Sequence, residues 1–347
     1  MVTLAKGTWY RQLFEGASTD SYKAAAVAST RTVFVGQTFG GPIIGTIDTA
    51  DLAEAAPTHT VRSANGSDQL YGCAHIAAEN VTVAVGNNGR IENSVDQGVT
   101  WTSQVVSLSP VLWDVVGVSG DQSRFVAAAF NSIWVQNQSA VWSRNWQASQ
   151  AWYGVTHLSG VGWVLVGANG YATHSPTALN GTFITPYQIT TTHLNKVRAN
   201  ATHYMAVGNL GKVFTSTTGL AASWTETNVG DTVTLVAVAP LASANEWAVA
   251  DIFGYVYYTD DNGASWTKLT TQISEYGTAA LVDGGAYAFA LGKPATIFVS
   301  YDQDQADYVE PSDIAAQTEV GPGLSDNDDM AGDAVRRLVT QFRSGRG

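Results

Sequence analysis

Short apolar runs that end in a small residue recur along the whole chain. They read Val33-Phe34-Val35-Gly36, Val83-Ala84-Val85-Gly86 and Phe125-Val126-Ala127-Ala128, then Val164-Leu165-Val166-Gly167, Met205-Ala206-Val207-Gly208, Trp247-Ala248-Val249-Ala250 and Ala288-Phe289-Ala290-Leu291. Successive starts are 50, 42, 39, 41, 42 and 41 residues apart. Runs this short, bounded by turn residues, read as buried strands rather than helices. A period near forty residues matches one four-stranded sheet of a propeller.

A second motif precedes each run. It is Leu70-Tyr71-Gly72-Cys73, Leu112-Trp113-Asp114-Val115, Trp152-Tyr153-Gly154-Val155 and Leu194-Asn195-Lys196-Val197, with looser forms at Ser21-Tyr22-Lys23-Ala24, Leu235-Val236-Ala237-Val238 and Ala279-Ala280-Leu281-Val282. These read as the innermost strands, and the following runs as second strands. His75, His157 and Arg198 each stand three residues after Gly72, Gly154 or Asn195, which places them at one equivalent, channel-lining position.

A third strand and a turn follow. In the second repeat the turn holds Ser94, Asp96, Gly98, Thr100 and Trp101; in the sixth it holds Thr259, Asp261, Gly263, Ser265 and Trp266. Both fit Ser/Thr-x-Asp-x-Gly-x-Thr/Ser-Trp. On these residues the chain resembles the Asp-box, or BNR, repeat of sialidase-like and photosystem-assembly-factor-like propellers. Asp can accept backbone N–H bonds within its own turn, Gly supplies a positive φ, and Trp offers a large apolar face to a seam between sheets. Other repeats are degenerate: Ser216 to Trp224 carries one extra residue, Asn180-Gly181-Thr182-Phe183 has Phe for Trp, and Ser139-Ala140-Val141-Trp142 is shortened. The first repeat, around Thr46-Ile47-Asp48, lacks both Gly and Trp.

The expected fold is all-β: a seven-bladed β-propeller over residues 1–303. The last repeat runs out of pattern after Ser300-Tyr301-Asp302, and its missing outer strand is found at Gly7-Thr8-Trp9. Residues 7–13 are therefore expected to close the ring and leave no open sheet edge.

Residues 304–347 follow as a separate segment. Between 304 and 333 there are nine acidic residues and no basic one, with Pro311, Gly321, Pro322 and Gly323 among them. That reads as an extended arm. Val335, Leu338, Val339 and Phe342 then fall on one face of a short amphipathic helix, about 329–343, suited to docking on a partner.

Composition narrows the function. Hydrophobic residues make up 45% of the chain, enough for a large core, and charged ones only 13%. A net charge of −12 argues against gripping nucleic acid phosphates. The one cysteine, Cys73, rules out an internal disulfide or a multi-thiolate zinc site. The N-terminus has no apolar signal core and no run reaches membrane-spanning length, so a cytoplasmic or particle-borne protein without membrane contact is expected.

No catalytic, cofactor or metal residues are assigned. A sialidase would carry an arginine triad and an Arg-Ile-Pro-like stretch, which Arg31-Thr32-Val33 and Gly41-Pro42-Ile43 do not match. Asp114, Glu226, Asp231, Asp251 and Asp283 lack the context of a glycosidase pair. The six histidines show no helical metal spacing. The leading expectation is a non-catalytic structural protein of a bacteriophage virion, a tail nozzle or hub subunit. It would form a homo-oligomeric ring, grip other virion proteins through the C-terminal arm, and meet DNA only as passing cargo. Alternatives are a protein-binding propeller similar to photosystem assembly factors, or a carbohydrate-binding or glycosidase propeller with Trp134, Trp142 and Trp146 stacking on sugars.

Overall fold

The computed structural model describes residues 10–13, 21–38, 41–49, 51, 59–62, 66–120, 123–146, 150–241, 243–269, 278–283, 287–292 and 296–301. Among these, twenty-eight strands, numbered in chain order, form seven four-stranded antiparallel sheets. The innermost strands are β2 (Ser21–Val27), β6 (Leu70–Ile76), β10 (Leu112–Gly117), β14 (Trp152–Leu158), β18 (Leu194–Ala199), β22 (Leu235–Pro240) and β26 (Thr278–Asp283). Second strands are β3 (Arg31–Gln37), β7 (Val81–Gly86), β11 (Ser123–Ala129), β15 (Gly162–Gly167), β19 (Tyr204–Gly208), β23 (Trp247–Asp251) and β27 (Tyr287–Gly292). Third strands are β4 (Pro42–Asp48), β8 (Arg90–Ser94), β12 (Ser132–Asn137), β16 (Tyr171–Ser175), β20 (Lys212–Ser216), β24 (Val256–Thr259) and β28 (Thr296–Tyr301).

Six sheets take four consecutive strands each; the seventh is shared between the two ends of the described chain. Its outer strand is β1 (Tyr10–Leu13), whose residues pair antiparallel with Val299 back to Thr296 of β28. Ser300 and Tyr301 continue β28 opposite Ala288 and Tyr287. Gly7, Thr8, Trp9 and Asp302 of the expected closure lie outside the described residues. So do the arm from 304 and the helix with Val335, Leu338, Val339 and Phe342. Each innermost strand neighbours the next, and β26 returns to β2, so the sheets form a closed cycle.

The repeating small residue has a steric cause. A Cβ on Gly86 would sit 1.9 Å from the Gln69 carbonyl oxygen, and Gly36, Gly167 and Gly208 face the same obstruction from Ser21, Ala151 and His193. That obstruction arises because every innermost strand bulges close to its start, after the first paired residue in six of them, as at Leu70/Gly72 and Trp152/Gly154, and after the second, Tyr22, in β2. The pairing also corrects the repeat alignment. Leu112 pairs with Ala129, Leu235 with Asp251 and Thr278 with Gly292, so the third, sixth and seventh runs end one residue later than the sequence suggested.

The core lies in the seams between sheets. Val33, Val35, Leu70, Cys73 and Ala84 fill the first seam, with Trp101 packed on its edge. Trp142, Trp224 and Trp266 cover later seams in the same way, and Phe183 replaces Trp between the third and fourth sheets. The turns that deliver these aromatics are held by side chains. Ser94 Oγ accepts the Gly98 N–H at 2.8 Å, and Asp96 accepts the Val99 and Thr100 N–H groups and the Thr100 and Ser94 hydroxyls. Thr259, Asp261, Gly263 and Ser265 repeat that set. In the fourth and fifth sheets Ser175 and Ser216 still accept from Ala178 and Gly219, while Thr182 and Ser223 hydroxyls stand in for the Asp.

Candidate functional site at the front mouth of the channel

The innermost strands all begin on one side of the ring, here called the front face. The turns from second to third strand lie on the same face; the Asp-bearing turns lie on the rear. A bulge re-aims the extra residue and sharpens local twist. The bulged residues are Lys23, Tyr71, Trp113, Tyr153, Asn195, Val236 and Ala279. Three consecutive sheets therefore present an aromatic at the mouth.

These aromatics touch. Tyr71 and Trp113 have ring centroids 5.0 Å apart, Trp113 and Tyr153 stand edge-to-face at 6.2 Å, and Tyr153 lies 6.2 Å from the His193 ring. All three are half-buried. The Trp113 Nε1 donor has no hydrogen-bond acceptor among the described residues. Leu108, Phe130, Leu210, Ile252 and Phe253 are exposed on front-face turns further out.

One residue below this crescent lies a buried ion cluster. Asp114 follows Trp113 on β10, and its carboxylate receives Arg198 through two N–H bonds of 2.8 and 3.1 Å. The Lys196 Nζ sits 2.9 Å from the same carboxylate. These cations belong to β18, two sheets away, so the bridge crosses β14. It can cross because that strand has Gly154 there: a Cβ would lie 2.8 Å from the Val197 nitrogen. The cluster also completes the free inner edge of β14. Asp114 accepts the Val155 N–H, and Arg198 donates to the Val155 and Val197 carbonyls. An unpaired strand edge near the axis would otherwise leave these groups without partners.

Burial alone would raise the Asp114 carboxyl, but the Arg198 guanidinium and then the Lys196 ammonium outweigh it and hold Asp114 below the ordinary carboxylate value. Burial pushes Lys196 down, against the pull of Asp114 and with the repulsion of Arg198. The cluster carries one negative and two positive charges. Among the described residues Lys196 pairs with Asp114 alone, which leaves two ammonium N–H bonds for water or a ligand.

The other sequence candidates fall elsewhere. Pairing places His75 and His157 at equivalent positions opposite Thr82 and Trp163, but Arg198 pairs with Met205 one step nearer the bulge. The expected equivalence fails because Lys196, not Asn195, matches Gly72. His157 lines a rear cavity of about 380 Å³ with Ser159 and Pro176. Trp134 is buried in the second seam, and Trp142, half-buried, packs against that seam. Asp251 caps the turn at Phe253 and Tyr255; Asp231 and Glu226 pair with Lys268 and Lys212. The aromatic at the second position of three consecutive motifs was visible in the sequence, but only the bulge reveals where it points.

No family model matches the chain, and no curated protein does. Solved structures do. A structure described as YCF48 bound to D1 peptide has a TM-score of 0.67 and 13% identity, covering 84% of this chain and 94% of that one. The WD40 β-propeller domain of Doa1 has a TM-score of 0.68 and 8% identity, covering 88% and 100%. A virginiamycin B lyase from Staphylococcus aureus has a TM-score of 0.70 and 12% identity, covering 85% and 99%. The chain has a β-propeller fold. At these identities the likeness concerns fold alone.

Proposed function

We propose that this propeller is a non-catalytic binding and assembly module whose front channel mouth receives a polypeptide segment. The observation that carries this reading is the crescent of Tyr71, Trp113 and Tyr153. Half-buried aromatics with polar tips give large contact area at low entropic cost, and such residues dominate binding energy in protein interfaces. The charged groups beside the crescent would fix the orientation of a bound chain. A structural neighbour whose name records a bound peptide supports the same reading.

A displayed random-peptide library tests it. Selected peptides should lose at least about tenfold in affinity for the Trp113→Ala protein, as expected at an interface hot spot. If selection enriches nothing, or the enriched peptides bind that variant equally well, the reading fails. The narrower reading, a ring-forming subunit of a bacteriophage virion, draws support from sequence alone: a Lys-poor composition and an acidic C-terminal segment. A particle mass corresponding to a closed ring of copies would support it, and a lone monomer would count against it.

A further inference from the structure

We propose that the acidic segment 304–333 of one copy docks into the front mouth of a second copy, placing a carboxylate on Lys196 and joining the two head to tail. The inference rests on the front mouth being a polypeptide site and names its occupant.

Three observations converge. Lys196 has two N–H bonds without a protein acceptor among the described residues, in a cluster with surplus positive charge. A carboxylate is the chemistry that matches it. The segment 304–333 carries nine acidic residues and no basic one, and includes Asp307-Tyr308-Val309-Glu310, an aromatic flanked by two carboxylates. Tyr308 offers the crescent a ring while Asp307 or Glu310 reaches the ammonium below.

Topology supplies the direction. β27 ends on the front face at Gly292, so β28 starts there and ends at Tyr301 on the rear. The last described residue, Tyr301, is therefore the exit of the chain from its last sheet, on the face opposite the mouth. A second copy stacked beneath the first presents its front mouth to that exit. Such a contact is heterologous, pairing two different patches, and it propagates to a filament unless its rotation closes a ring.

Sedimentation velocity of the full chain over a range of concentrations tests the proposal. The natural protein should gain mass with concentration, and added salt should reverse the gain. Lys196→Met should raise the dissociation constant about tenfold, as loss of a charge-assisted hydrogen bond implies. The double substitution Asp307→Asn with Glu310→Gln should do the same while leaving the propeller's melting temperature unchanged. A monomer at every concentration, or association indifferent to both variants, overturns the proposal. If library-selected peptides still need Trp113 while the tail substitutions change nothing, the occupant is wrong and the binding reading stands.

Discussion

Substituting Asp114→Ala removes the carboxylate on which three sheets converge. Its side chain is 1% exposed and holds the Arg198 guanidinium, the Lys196 ammonium and the Val155 N–H. Without it two cations remain side by side in the channel, and a backbone donor at the β14 edge loses its acceptor. Breaking a buried ion pair by removing one partner costs on the order of 3–5 kcal/mol. Because Arg198 is 24% exposed and can turn toward water, the lower end applies, about 3 kcal/mol. Urea unfolding followed by tryptophan fluorescence reads this as a lower midpoint at unchanged slope. The sign with pH is fixed by the depressed carboxyl. The contribution is fully present above the unfolded value near 4 and lost as pH falls through the lower folded value. The gap between natural and variant proteins should therefore narrow in acid. A loss below about 1 kcal/mol at neutral pH, a typical surface-pair value, would refute the claim that this cluster binds the inner strands together.

Two further outcomes follow from geometry. Gly98 has φ +86°, and a Cβ there would meet Val33 Cγ2 at 2.7 Å, so Gly98→Val should cost roughly 2–4 kcal/mol from strain and overpacking, read by the same urea titration. Gly160→Asn, at φ +77° with open space around it, should cost well under half of that. Burial lowers His59 to about 4, where its Nε2 contacts the Tyr22 hydroxyl at 2.6 Å. The stability this gives is complete above pH 6.5 and declines as pH falls toward 4, so melting temperature should drop across that window, and His59→Phe should flatten the profile.

The fold was legible because its signals are local. Apolar runs, the small residue closing four second strands, and turns such as Ser94–Trp101 each report on a few neighbouring residues. Even the degenerate turns keep their logic, with Ser175 and Thr182 or Ser216 and Ser223 substituting hydroxyls for the carboxylate. The borrowed outer strand was legible for the same reason, since an unfinished last repeat needs a partner; what is described of it is Tyr10–Leu13. Register was not legible. A single bulged residue decides whether Arg198 matches the histidines, and Ala129 and Asp251 conceal the ends of two runs that lack Gly. The ion cluster was beyond reach altogether: Asp114 and Arg198 are 84 residues apart, and their meeting depends on Gly154 in the strand between them.

Backbone hydrogen exchange with and without a library-selected peptide tests the binding role of the front mouth most directly. The segments that begin the inner strands, around Tyr71, Trp113, Tyr153 and Lys196, should exchange more slowly in the complex while the rear turns at Asp96 and Asp261 stay unchanged. Protection confined to those rear turns, or to the outer strands, would contradict it.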